Sequence, residues 1–166
     1  MEEECDMREE LLRIIEKNSR IDLKELAVML DANEIDVANE LAAMEEEDII
    51  CGYHTLINWD NTTVDKVTAL IEVSVTPQTG QGFDTIAEKI YKYPEVNSVY
   101  LISGKYDLMV ILEGKSLREV SNFVSEKLSG LDAVLSTATH FILKKYKEHG
   151  TIYKTRSDDE REMITP

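Results

Sequence analysis

Asp107 is the one carboxylate in the stretch Val99 to Leu112, VYLISGKYDLMVIL, and its surroundings suit binding better than bond-breaking. The stretch reads as a β-hairpin. Val99, Leu101 and Ser103 alternate with Tyr100 and Ile102, and Leu108, Val110 and Leu112 alternate with Met109 and Ile111 on the return. Gly104-Lys105 suits a two-residue turn with glycine in its first central position. Asp107 then sits at the foot of the second strand, beside the backbone amides of the turn. Two apolar strands on so short a connection predict a pair central to a sheet. Turn chemistry alone also accounts for Gly104, and for an Asp107 that accepts hydrogen bonds from the turn.

Other chemistries find less support. His54, His140 and His149 share no metal-ligand spacing with one another or with Cys5 and Cys51. The loop PQTGQG, 77–82, follows a strand and precedes a helix, as an anion site would, but lacks the further glycine and lysine of phosphate-binding fingerprints. No nucleophile motif appears. Neither an enzyme nor a cofactor is expected.

The elements that must position Asp107 follow from composition and periodicity. The chain has 166 residues, 43% hydrophobic and 31% charged, with 7 glycines and 3 prolines, which is too apolar for disorder and too charged for a membrane protein. Its acidic start and two unpatterned cysteines predict a cytoplasmic protein with reduced thiols. Of the net charge of −15, residues 1–60 carry −13, five basic against eighteen acidic, and the rest −2, which predicts two domains. Met7 to Asn18, a segment from the N-cap Asp22, and about Glu34 to Glu47 read as three helices with a tight turn before the third. Ile49 to Tyr53 and His54 to Asn58 read as paired strands of a wing. After a polar linker near Asp60 to Lys66 comes strand, helix, strand, strand, helix, strand. The fold class is therefore α+β: a winged helix-turn-helix over 1–60, a ferredoxin-like βαββαβ domain over 61–148, and a tail over 149–166. With both helices on one sheet face, the other face, carrying Leu70, Tyr100, Ile102, Met109 and Ile111, requires a cover, and oligomerisation supplies one.

In this order, a wing IICGYHTLIN, a hairpin PEVNSVYLISGKYDLMVIL with its P-x-V and G-x-Y-D patterns, and a last strand LSTATHFILKKY, the chain resembles the Lrp/AsnC transcriptional regulators over about residues 6–147. The resemblance implies DNA binding and dimers that can assemble into octamers, with amino acids or related small molecules bound near the hairpin and last strand. The effector candidates it implies are Gly104, Tyr106, Asp107, Thr137 and Thr139. Amides, hydroxyls and one carboxylate together suit a zwitterion.

The third helix departs from the family pattern V-x-x-R-[IL]-x-x-L-E-x-x-G-I-I. Glu40 stands at the arginine position and Asp48 at the glycine, and 33–51 contains seven carboxylates and no lysine or arginine. DNA contacts are expected from Arg20, Lys24, Asn33 and Asn39, and binding is expected to be weak because few phosphates can be neutralised. The alternative is an effector-binding oligomer whose acidic amino-terminal domain binds protein instead of DNA.

Overall fold

The computed structural model describes residues 2–76 and 82–154. The proposed 77–81 part of the loop and the tail beyond 154 lie outside them, as does the side chain of Cys5. The chain divides into two compact units, Met1–Ile57 and Asn58–Pro166.

The first unit is three helices: α1 (Glu2–Lys17), α2 (Leu23–Met29) and α3 (Glu34–Glu46). They close on Leu11, Ile15, Leu26, Ala27, Val37 and Met44. Asp22 caps α2, its carboxylate accepting from Glu25 N at 2.7 Å, and Asn33 caps α3, its side-chain oxygen accepting from Ile35 N at 2.9 Å. Each cap satisfies an amide that the helix cannot. Both helices end alike. Asp31 (φ 49°) and Asp48 (φ 57°) take the left-handed conformation, and Ala32 N and Ile49 N reach back to Ala27 O and Met44 O, each at 2.9 Å. This is the helix ending usually given to glycine. Asp48→Gly therefore stabilises the unit by roughly 0.5–1 kcal/mol in chemical denaturation; an unchanged midpoint would show that the aspartate bears no strain.

The paired wing strands expected over 49–58 do not form. Residues 51–57 are exposed and in no ladder, held to α3 by Cys51 Sγ donating to Asp48 O (3.2 Å) and Tyr53 OH donating to Glu45 Oε1 (2.7 Å). Two short strands without a third strand or a covering helix are marginal in water.

The second unit opens with a 3-10 turn, Trp59–Asn61. It continues as β1 (Val67–Val75), α4 (Phe83–Tyr91), β2 (Val96–Leu101), β3 (Leu108–Gly114), α5 (Leu117–Phe123, extended by a π turn Val124–Leu128) and β4 (Val134–Phe141). All pairings are antiparallel, in the order β2-β3-β1-β4. The hairpin is therefore not central as a pair: β3 is an inner strand but β2 is an edge, because β1 inserts between β3 and β4. Ala69, Ile71, Val73, Leu108, Val110 and Leu112 alternate onto one face and are buried under Ile86 and Ile90 of α4 and Val120, Phe123 and Leu128 of α5. Leu117, at the first turn of α5, is 56% exposed. The register puts Leu70, Tyr100, Met109 and Ile111 on the opposite face, where Tyr100 is 49% exposed.

Where a tail was expected from 149, β5 (Lys147–Glu148) pairs with β6 (Thr151–Ile152), and Lys154 O accepts from the side-chain amides of Asn58 (3.3 Å) and Asn61 (3.4 Å). Tyr153 OH donates to Glu148 Oε2 at 2.6 Å, which with Lys145 lowers the Glu148 carboxyl; burial and that carboxylate push Tyr153 up to about 12. The neutral phenol is the bound form, so this contribution is intact below pH ~10 and is lost as pH rises towards 12. Ultraviolet titration should find one of the seven tyrosines ionising last, an inflection removed by Tyr153→Phe. Ionisation of all seven near pH ~10 would contradict the contact. Among the described residues no helix is long and apolar enough to cross a membrane.

Candidate functional site

The loop joining β2 to β3 is longer than the sequence suggests. Ile102 N donates to Asp107 O at 2.8 Å, which closes a loop over 103–106 rather than a two-residue turn. Gly104 is not among the glycines with positive φ, and a Cβ there would meet only Ile102 Cγ2 at 3.7 Å. The two-residue turn that would need glycine is therefore replaced by a wider one that leaves Ser103, Gly104 and Lys105 exposed. Tyr106 and Asp107 are half-buried where the loop re-enters the sheet.

Asp107 is bound to the sheet, not to the turn. Its carboxylate Oδ2 accepts from Val75 N at 2.8 Å, and its own N donates to Val73 O at 3.1 Å. Val75 lies beyond the last β1–β3 pair, Val73 with Leu108, and its amide points to the β3 side as Val73 O does, so the carboxylate answers an amide that the ladder leaves over. Oδ1 remains for a ligand. The site is thus a carboxylate fixed by one oxygen under a loop with exposed amides.

Thr137 and Thr139 stand on β4 opposite Val73 and Ile71. Directly opposed residues share a face, so the hydroxyls lie on the helix-covered side of the sheet, half-buried. Asp107 and Thr137 both adjoin Val73, from β3 and β4 on either side of β1, so their backbones are about 10 Å apart at ~4.8 Å per strand. Thr139 is a further pair inward. The five candidates share one region of the sheet without closing a pocket. Two clefts, of about 340 and 410 Å³, lie at the other end, around Glu95 and Glu119. Among the described residues no three His, Cys, Asp or Glu are grouped to hold a metal.

On the first unit, Arg20 is exposed in the α1–α2 turn, Lys24 is exposed on α2, Asn39 is exposed on α3, and Asn33 has its oxygen engaged in the cap. The residue missed from sequence is Arg8. Its guanidinium bonds Glu47 through Nη1 (2.8 Å) and Nη2 (3.2 Å) and Glu40 through Nε. The Glu47 bond, then the Glu40 bond, raise the Arg8 pKa, and Arg8 lowers that of Glu47. The signal was helical phase: Arg8 precedes Leu11 and Ile15 by three and seven residues, so it points with them towards α3. Two of the seven carboxylates thereby serve as the seam between α1 and α3.

Comparison with known proteins bears on both surfaces. A sequence profile described as the Lrp/AsnC ligand binding domain matches residues 68–152. A protein described as the uncharacterized HTH-type transcriptional regulator YugG of Bacillus subtilis is 47% identical over 158 residues, 95% of each chain. The HTH-type transcriptional regulator LrpA of Pyrococcus horikoshii is 29% identical over 137 residues, covering 82% of this chain and 94% of its own. Among solved structures, a transcriptional regulator of Neisseria meningitidis in complex with L-Met has the same fold, with a TM-score of 0.69 at 21% identity over 91% of this chain and 96% of its own.

Proposed function

Because the chain belongs to the Lrp/AsnC family of transcriptional regulators, we propose that it is a one-component regulator of the cytoplasm in which residues 1–60 form a helix-turn-helix that binds duplex DNA. Residues 61–148 form a ferredoxin-like domain that assembles the protein and senses an amino acid or related small molecule. The observation that carries this reading is the α2–turn–α3 pair, on a unit whose apparent charge conflict is partly resolved by Arg8. Arg20 and Lys24 would make the phosphate contacts and Asn39 a base contact, while Asn33 contributes as the cap. The free Oδ1 of Asp107 accepts the ammonium of the effector, and the amides around Gly104 and the Tyr106 hydroxyl face its carboxylate. The regulator of Neisseria meningitidis solved with L-Met supports an amino acid as the ligand class. Thr137 and Thr139 join that site only through a second copy, since within one chain β1 separates them from Asp107.

DNA binding is tested by fluorescence anisotropy on the duplex upstream of the gene at several salt concentrations. Two phosphate contacts per protomer give a shallow log–log slope of about 2. A slope steeper than about 5 per protomer would mean that cations elsewhere carry the affinity, and no binding at low salt would favour the protein-interaction alternative.

The open sheet face supports a dimer. Ile111→Glu places a charge among Leu70, Tyr100 and Met109, and the full chain should change from dimer to monomer in light scattering at micromolar concentration. A wild-type monomer under the same conditions would show that the face is not an interface.

A further inference from the structure

At 100° per residue, Ile35, Asn39, Ala42 and Glu46 form one stripe along α3, opposite the buried Val37 and Met44. All four are exposed, Ile35 by 67%. Glu40 and Glu47 are turned towards Arg8, and Glu45 accepts from Tyr53 OH, so the first three positions of the stripe are neutral and Glu46 closes it.

Such a stripe is poorly suited to phosphate, which requires cations, and well suited to base edges. A carboxamide presents a donor and an acceptor side by side, the complement of adenine N7 and N6 in the major groove, while aliphatic side chains complement the C5 methyl of thymine. Asn33 cannot compete for the adenine, because its side-chain oxygen is held by Ile35 N. Asn39 is the one amide on the exposed stripe. From Ile35 to Ala42 the helix rises about 10 Å at ~1.5 Å per residue, against about 3.4 Å per base step. The three side chains therefore span about three base steps.

We propose that Asn39 is the specificity-determining residue of this helix-turn-helix: it pairs bidentately with adenine in the major groove, with Ile35 and Ala42 against thymine methyls of the base pairs on either side. The proposal rests on the reading of residues 1–60 as DNA-binding. It divides the labour unusually, with sequence read by a neutral stripe on an acidic helix and phosphates held by Arg20 and Lys24 outside it.

The experiment is a selection of random duplexes by the full-length protein at low salt, sequenced before and after enrichment, for wild type, Asn39→Ala, Asn39→Arg and Ile35→Ser. Wild type should favour adenine over each other base by about 5- to 150-fold at one position of the half-site, the range of a good bidentate pair. Asn39→Ala should lose that preference alone, Asn39→Arg should shift it to guanine, and Ile35→Ser should weaken a thymine at a neighbouring position. The same motif from wild type and both Asn39 variants would overturn the proposal while leaving the DNA-binding reading intact. A wild-type protein that retains duplex without enriching any sequence would overturn the proposal alone, and one that retains no duplex would overturn both.

Discussion

Asp107→Ala should lower the melting temperature of the second unit substantially, and Asp107→Asn should lower it far less. Alanine leaves Val75 N, on a residue 5% exposed, without its 2.8 Å acceptor. An orphaned buried donor costs about 1–3 kcal/mol, and each kcal/mol is worth roughly 4–8 °C in a domain of this size. Asparagine keeps an oxygen in place and gives up only the charge. The pair of variants therefore separates the two roles of one carboxylate. If Asp107 also neutralises a ligand ammonium, Asp107→Asn should melt near wild type yet bind the effector at least tenfold more weakly in calorimetry. Equal affinity in Asp107→Asn and wild type would assign the residue to the sheet alone, and a melting temperature unchanged in Asp107→Ala would refute the bond to Val75.

Arg8→Ala should weaken DNA binding more than loss of any one exposed lysine or arginine, although Arg8 need not touch DNA. Removing the guanidinium releases Glu40 and Glu47 together and takes the net charge from −15 to −16. Two unpaired carboxylates within a Debye length of the phosphates repel them and weaken binding at low salt, an effect that fades as salt rises. Arg8→Ala combined with Glu40→Gln and Glu47→Gln should recover most of the loss. Failure of that rescue, with the helices still folded, would show that Arg8 acts by holding α1 against α3. Glu46→Lys, on the exposed stripe, should strengthen nonspecific binding; Glu40→Arg is a poor choice for that purpose because it would set two guanidinium groups against each other.

Periodicity made the three helices, the order of the second unit and its buried face legible, because Leu11, Ile15, Val37 and Met44, and the alternation of β1 and β3, each commit one side of an element to the core. Asp22 was legible for the same local reason, a cap three residues before its partner. Gly104 misled because a glycine between two strands signals a tight turn, whereas the chain closes one step earlier through Ile102 and Asp107. The wing failed because its strands have no sheet to join. Asp31 and Asp48 concealed helix ends that glycine would have announced. Of the effector candidates, the hairpin residues could be located but not the partner of Asp107, since the amide of Val75 is left over where the β1–β3 pairing stops, at Val73 and Leu108, a point that no residue type records. Counting the seven carboxylates of 33–51 hides that two of them, Glu40 and Glu47, are directed by Arg8, which lies 32 residues from Glu40.

The amides of Asn58 and Asn61 wait on a carbonyl 96 and 93 residues later. During synthesis these asparagines leave the ribosome long before Lys154 exists, so the sheet and both its helices are complete while the amides still face water. Among the described residues, the last contact of the second unit is made beside its first residues. A product released early, or clipped between 149 and 154, would keep its core and its hairpin loop but lose that contact, and protease sensitivity would appear first at Trp59 to Asn61, far in sequence from the cut that caused it.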